Sequence, residues 1–495
     1  MFELILKNFE LVIFTLSVLV VVSIYASKFS FQFGLPSLLF FLIIGMLAGS
    51  DGIGKIYFDD HEIAKIIGMF ALVYILFSGG LDTNLSEIKP VIVDGMILSN
   101  LSVFITAFIV GMFVHYYLKF TILESFLVGA IVSSTDAASV FGILKTSGIG
   151  LKGNLKPLLE FESGSNDTAA VILTFGIIGF LVNPDAEWST SLINLLSQIT
   201  IGALTGYFSG KALCILINKI NLEQEGLYTV LTLAYIYIVY GLTNLIYGNG
   251  FLAVYICGII FGNSHFIHKR TIIMFVDGIS WLMQILMFLT LGLLVFPSKL
   301  VDVVIPGIVI SLFLIFIARP ISIFLCLPTN KYSLREKLFI SWVGLRGATP
   351  IILATIPYSF NIGISDIIFN IIFFIVLISL SLQGSTIKFL ANLLSLTRKQ
   401  KKASLYPFEY VNNFDSKTKL VEFIVPYSST VVDRSLVEIM FPTNTLITVI
   451  CRGDEYMIPN GKIVLQGGDV LLVLVNDDDS QKEFTKLLSK SKDSD

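Results

Sequence analysis

Long apolar runs, broken at intervals by short polar stretches, occupy about the first four-fifths of the chain. A helix that crosses a bilayer needs roughly 20 consecutive apolar residues. By that measure the pattern predicts thirteen segments: Leu11–Ala26, Leu35–Ala48, Ala64–Ser78, Val91–Leu118, Glu124–Leu144, Pro157–Val182, Leu192–Ile217, Leu227–Ile246, Phe251–Gly262, Ile272–Val295, Val304–Leu327, Arg335–Ile356 and Asp366–Leu394. Several are short or carry internal glycines, and Phe251–Gly262 is the least able to cross untilted. After Leu396 the pattern changes to that of a soluble module. Leu420–Val425 alternates like a strand, and Val432–Met440 has the spacing of a short helix. Arg452-Gly453-Asp454-Glu455 joins two runs as a hairpin signal, and Lys462–Leu465, Gly467-Gly468-Asp469 and Val470–Val475 give a second one. The expected division is a membrane domain at 1–397, a linker at 398–418 and a small α/β domain at 419–495, whose last residues are helical or frayed.

Composition agrees with the pattern. Of the 495 residues 55% are hydrophobic and 14% charged, and mean hydropathy is +0.84. These values exclude an ordinary soluble enzyme and point to a bilayer as the chain's principal partner. A net charge of -3 offers no basic field for nucleic acid. Cys214, Cys257, Cys326 and Cys451 are scattered and form neither a metal spacing nor a disulfide framework. No cleavable signal is expected, because Glu3 and Glu10 flank Lys7 ahead of a run long enough to span.

Loop charges set an orientation. One side carries Lys7, Lys55, Lys65, Lys119 and Lys299; the other carries Lys28, Lys89, Lys145, Lys152, Lys156, Lys219, Lys269, Arg270, Lys331, Arg335 and Lys337. The basic stretch Arg398–Lys402 joins the second side. The positive-inside rule then places the C-terminus in the cytoplasm and the N-terminus outside, as an odd number of spans requires.

Polar residues inside these runs carry the candidate chemistry. Glu162-Ser163-Gly164-Ser165-Asn166-Asp167-Thr168 opens directly into the apolar run Val171–Val182. Carboxylates so placed are costly and face a cavity or a partner charge. On a helix, Ser163 and Asp167 share one face and Glu162 and Asn166 another. A hydroxyl and a carboxylate on one face offer oxygens to a partly dehydrated alkali cation, with one carboxylate matching one unit of charge. Asp167 is therefore expected to carry a cation and a proton by turns. Glu162 then needs a cationic partner, and Arg346 and Arg319 lie within other apolar segments. The expected ion pair is Glu162–Arg346.

Ser133-Ser134-Thr135-Asp136 in the fifth segment, and Gly344, Gly347 and Pro350 in the twelfth, predict helices interrupted where they line a cavity. Asp136 would neutralise the N–H end of one half-helix, and Arg346 would face a carbonyl end. Irregular helices at matching positions in two halves are a pointer to a transport site. Small-residue packing faces explain the serines and glycines equally well, but not Asp136 or Arg346.

With these residues the chain resembles the monovalent cation:proton antiporter superfamily, in particular the bacterial sodium/proton and potassium/proton exchangers. Phe161-Glu162-Ser163 leading to Asn166-Asp167, Thr135-Asp136 and Gly344-Leu345-Arg346-Gly347-Ala348 carry the resemblance. It implies an all-α polytopic fold of thirteen helices in two inverted repeats with crossed, broken helices. It also implies a homodimer in the bacterial cell membrane, with elevator-type alternating access. Its implied site has Asp167 binding the ion with help from Ser163, Asn166 and the Thr135 backbone, Glu162 paired to Arg346, and Asp136 and Arg319 balancing helix ends. Ala137 replaces a proline common in relatives, and Ser78 stands where some sodium-selective relatives have glutamate. Asn166, in place of a second aspartate, implies electroneutral exchange of one cation for one proton.

The tail resembles the C-terminal regulatory subdomain of potassium-conductance regulators, through Ser435-Leu436, Ile450-Cys451-Arg452, Ile458-Pro459 and Gly468-Asp469. Such subdomains dimerise, and some bind a small ligand such as a cyclic dinucleotide; the likeness favours potassium over sodium as the cargo. No cofactor is implied beyond the transported cation and proton, and the chain reads as a secondary transporter rather than an enzyme. The rival readings are a cation channel gated by the tail, although no Thr-Val-Gly-Tyr-Gly filter occurs, and an intramembrane acid protease using Asp136 and Asp167.

Overall fold

In a computed structural model the chain is described over residues 9–33, 35–146, 148–183, 188–328, 330–399, 419–426, 429–452 and 455–489. It divides into two units, Met1–Lys402 and Ala403–Asp495.

The first unit is almost entirely helical. Its helices are α1 (Phe9–Phe33), α2 (Ser37–Ala48), α3 (His61–Asp82), α4 (Leu85–Leu118), α5 (Ile122–Ile131), α6 (Ala137–Thr146), α7 (Leu155–Val182), α8 (Trp188–Lys219), α9 (Glu225–Leu245), α10 (Gly250–Gly262), α11 (Lys269–Leu293), α12 (Pro297–Cys326), α13 (Leu334–Trp342), α14 (Ala348–Ser359) and α15 (Ser365–Leu393). Among the described residues nine of them are long and apolar enough to cross a membrane, while α2, α5 and α10 are shorter apolar helices. The expected segments therefore appear as helices, but the fifth and twelfth are each split in two, as α5 and α6 and as α13 and α14. The N-termini of α5 and α13 carry reciprocal Thr121/Glu124 and Ser333/Glu336 capping boxes, which fix where each split segment begins.

Packing follows from residue size. Along α3 and α10 the contact is lined by Gly80, Gly258 and Gly262, where a Cβ on Gly80 would lie 2.5 Å from the Tyr255 carbonyl oxygen. Small residues let backbones approach, the usual basis of helix association where lipid removes the hydrophobic drive. Buried Leu, Ile, Phe and Val from α2, α3, α5, α9, α10, α11, α14 and α15 form the larger apolar core. A second core gathers residues of α4, α6, α7, α12, α13 and α15.

Helices α4 and α12 share one irregular design. Each starts with a short α turn, passes through a 3₁₀ turn (Lys89–Val91 and Val301–Val303), and widens later into a π turn (Leu98–Ser102 and Leu314–Ala318). In α12 the wide turn precedes Pro320, whose ring cannot donate to or fit against the preceding turn. Helix α15 carries a third π turn at Ser379–Gln383.

One expectation about the linker is corrected. Thr397–Lys399 forms strand β2, antiparallel to β1 (Ile149–Leu151), so Arg398 and Lys399 belong to the first unit's two-stranded sheet. A further bond from the Lys152 N–H to the Leu396 carbonyl (2.9 Å) extends that pairing. Residues 400–418 lie outside the described residues.

The second unit contains a four-stranded antiparallel sheet in the order β3 (Lys419–Ile424), β6 (Val470–Val475), β4 (Thr445–Arg452), β5 (Glu455–Met457), followed by helix α16 (Asp478–Ser489). Phe484 of α16 packs on Phe423 and Phe441, with ring centroids 4.5 and 5.4 Å away. Two expectations fail here. Val432–Met440 is not a helix, because Asp433 adopts a left-handed φ of 68° and its neighbours bond sideways. Leu436 N–H donates to the Ile463 carbonyl (2.9 Å) and Leu465 N–H to the Arg434 carbonyl (3.0 Å). For the same reason Lys462–Leu465 makes no hairpin with Val470–Val475; it contributes only the bridge Ser435↔Val464. The turn before β6 is held instead by Asp469, 1% exposed, which accepts two 2.8 Å bonds from Arg452 and one of 2.8 Å from the Gln466 N–H.

Candidate functional site

The site is built where the two split segments meet α7. Between α5 and α6 the backbone leaves helical geometry over residues 132–136, and between α13 and α14 over residues 343–347. The two breaks are joined directly, the Asp136 N–H donating to the Leu345 carbonyl at 2.7 Å. Each break exposes peptide groups that no helix satisfies, and side chains take them up.

Arg346, 1% exposed, donates through Nη1 to the carbonyls of Ser133 (2.7 Å) and Ser134 (2.5 Å). It thus places a cation against the carbonyl end of α5. Its own N–H donates to Ser379 Oγ (3.0 Å), which donates to Gln383 Oε1 (2.6 Å), while Gln383 Nε2 donates to the Trp342 carbonyl (2.7 Å). The π turn of α15 therefore braces the break of the twelfth segment. Asp136 accepts from the Ser139 hydroxyl (2.6 Å) and Ser139 N–H (3.3 Å), capping α6. A Cβ added to Gly347, the N-cap of α14, would lie 2.8 Å from Asp136 Oδ2. One carboxylate thus serves two helix N-termini, and the glycine makes room for it.

The expected ion pair is reassigned. Glu162 pairs with Arg319 rather than Arg346: Arg319 Nη2 contacts Glu162 Oε1, both side chains being 2% exposed. Arg319 Nη1 also reaches Ser102 Oγ at 3.1 Å. Gly344 lies against this guanidinium, since a Cβ there would come within 2.8 Å of Arg319 Nε. The physical reason for the exchange is competition: two buried arginines face one carboxylate, and Arg346 is already committed to the carbonyls of α5. Sequence spacing showed both arginines but not which was committed.

On α7, Ser163 Oγ donates to the Thr135 carbonyl (2.9 Å) and accepts from the Ala137 N–H (2.9 Å). Asn166, fully buried, donates to Thr135 Oγ1 (2.5 Å) and accepts from the Thr135 N–H (3.3 Å). These two side chains clamp Thr135 from both sides, holding the unwound backbone open. Asp167 stands half-buried one turn beyond Ser163, facing the Ser134 and Thr349 hydroxyls and the Asp136 carboxyl. All eight expected residues therefore gather at one crossing. Sequence reasoning gave no role to Thr349, Ser379, Gln383, Ser102 or Tyr255, and read Ser134 only as part of the cavity-lining interruption. Ser379 and Gln383, four apart in an apolar run, were a readable signal. Tyr255 was not: it comes from α10, and its hydroxyl presses on Gly164, where a Cβ would meet it at 2.6 Å.

A carboxylate among hydroxyls, set between two interrupted transmembrane segments whose end charges are compensated, defines a membrane transporter of small cations. The comparisons agree. The transmembrane sodium/hydrogen exchanger family profile matches residues 15–393, and the TrkA-C domain profile matches residues 420–489. The chain belongs to the sodium/hydrogen exchanger family and carries a TrkA-C domain. It is 37% identical over 468 residues to the K(+)/H(+) antiporter NhaP2 of Shewanella baltica, covering 92% of this chain and 80% of the relative. It is likewise 37% identical to the K(+)/H(+) antiporter NhaP of Alkalimonas amylolytica, covering 95% of this chain and 82% of the relative. Among solved structures, the sodium proton antiporter MjNhaP1 of Methanocaldococcus jannaschii aligns with a TM-score of 0.68 at 26% identity, over 78% of this chain and 99% of that one.

The reassigned pair makes a discriminating prediction. Glu162→Gln and Arg319→Gln should each destabilise the protein by roughly 3–5 kcal/mol, because each strands a buried charge. The double variant should lose clearly less than the two summed. Glu162→Gln combined with Arg346→Gln should be closer to additive. Thermal unfolding of the purified variants reads both cycles, and coupling of Glu162 to Arg346 alone would restore the sequence-based pairing.

Proposed function

We propose that the chain exchanges a monovalent cation, potassium in preference to sodium, for a proton, electroneutrally, with Asp167 carrying either load. The observation that carries this is the position of Asp167, a half-buried carboxylate facing hydroxyls where both split segments cross. A carboxylate binds a cation or a proton but not both, so one group couples two opposite fluxes. Asn166, committed to Thr135, cannot titrate, which supports one cation for one proton. Potassium is supported by the names of the two relatives at 37% identity, against a more distant sodium antiporter at 26%.

The fuller reading is a bacterial cell-membrane protein of thirteen spans in two inverted repeats, N-terminus outside and tail cytoplasmic, acting as a homodimer by elevator-type movement. The shared irregular design of α4 and α12 supports the repeat, and the basic loops support the orientation. The domains are the membrane exchanger at 1–399, the linker at 400–418 and the regulatory module at 419–495. The module regulates transport, through dimer contacts or a small ligand such as a cyclic dinucleotide, and takes no part in translocation.

Two experiments test this. In proteoliposomes, Asp167→Asn should abolish potassium-driven proton movement while the protein stays folded, and the wild type should show no dependence on an imposed membrane potential. Normal exchange by the variant would remove Asp167 from the mechanism, and dependence on potential would demand a second titrating group. A chain ending at Lys402 should keep exchange but lose its response to pH or to a cytosolic ligand. A truncated chain that folds and inserts yet moves nothing would make the tail part of the machinery.

A further inference from the structure

The oxygens that sequence patterning assigned to the cation are largely occupied. Ser163 Oγ spends its proton on the Thr135 carbonyl and accepts from the Ala137 N–H. Both ends of the Asn166 amide are bound to Thr135. Two other hydroxyls face Asp167, one from each split segment: Ser134 from the break after α5 and Thr349 from the first turn of α14. Neighbouring serines behave differently here. Ser133 Oγ donates to the Ala130 carbonyl at 2.6 Å, whereas Ser134 Oγ is buried, in a residue 1% exposed, with no hydrogen-bond partner among the described residues. A buried hydroxyl left without a partner is destabilising and is retained in native proteins for a reason that can be sought. Thr349 is a buried residue, 6% exposed.

We propose that Ser134 and Thr349 supply neutral oxygen ligands to the cation carried at Asp167, and that their spacing sets its affinity and selectivity. The assignment rests on the reading of the chain as a cation/proton exchanger. Alkali cations take several oxygens, and a single carboxylate leaves most of the coordination shell to neutral donors. Hydroxyls suit both loads, because a hydroxyl lone pair can face the cation and can also accept from a protonated carboxyl. Ser134 is held in place by Arg346, which grips its carbonyl at 2.5 Å. Thr349 is held by the helical turn after Gly347. The ligands thus sit on two separately anchored half-helices. The distance between those anchors becomes a ruler for ion size, and the Asp136–Leu345 backbone bond sets it.

The test uses the full-length protein with Ser134→Ala, Thr349→Val (isosteric, without the hydroxyl), Thr349→Ser (hydroxyl kept) and Ser133→Ala as a neighbour control. Two readouts apply: half-saturation for potassium and for sodium in proteoliposomes, and binding of radioactive rubidium to the purified protein. Ser134→Ala and Thr349→Val should each weaken half-saturation and rubidium binding roughly tenfold, the scale of one lost bond to a charged group. Maximal rate should stay near wild type and the potassium-to-sodium preference should shift. Thr349→Ser should restore the affinity, and Ser133→Ala should leave it unchanged. Unchanged affinity and preference in both hydroxyl-less variants would overturn the assignment, as would a Thr349→Ser variant no better than Thr349→Val. A wild type that moves no protons against any cation would instead overturn the exchanger reading itself.

Discussion

A helix that stops inside a membrane leaves unpaired peptide groups and a partial charge at its end, and the whole site answers that constraint. Two segments stop this way here, at residues 132–136 and 343–347. In hydrocarbon such backbone is tolerated only where protein groups or a cavity satisfy it. Arg346 covers the carbonyl end of α5, Asp136 caps α6, and Ser163 and Asn166 hold Thr135 between them. What remains is one carboxylate, Asp167, that the bracing does not use.

The two buried arginines illustrate how context divides similar residues. Arg319 and Arg346 are both nearly inaccessible, yet one balances a side-chain carboxylate and the other balances a helix end. Arg319 joins α12 to α7 through Glu162 and to the π turn of α4 through Ser102. Arg346 joins the two breaks. The result is a frame in which α4, α7, α12 and the split helices are bonded to one another through buried side chains. Glycine serves this frame by vacating space: Gly344 for the Arg319 guanidinium and Gly347 for the Asp136 carboxyl.

Much of this was legible beforehand, and the reasons differ by residue. Long apolar runs announce helices because lipid permits little else, so segment positions were readable from hydropathy. Asp167, Asp136, Glu162, Arg319 and Arg346 announced themselves as charges where charges are costly. The pairing among them was not readable, since it depends on which helices touch across more than 150 residues of sequence. Ser134 and Ser133 look alike in the chain, and only packing distinguishes the bonded hydroxyl from the unbonded one. In the tail, Val432–Met440 carried a helical spacing that its backbone bonds to residues 461–465 override. Tertiary contact outweighs local preference in short polar segments.

The central claim is that one carboxylate holds a cation or a proton, never both. Proton release on cation binding tests it without any membrane. Potassium chloride is added in increasing amounts to the purified full-length protein in weakly buffered detergent solution containing a pH dye, at a pH where the site is largely protonated before the cation is added. The account predicts release that saturates with the cation, approaches one proton for each cation bound after correction for the fraction already deprotonated, and disappears in Asp167→Asn. Cation binding without proton release in the wild type, or undiminished release in Asp167→Asn, would contradict it.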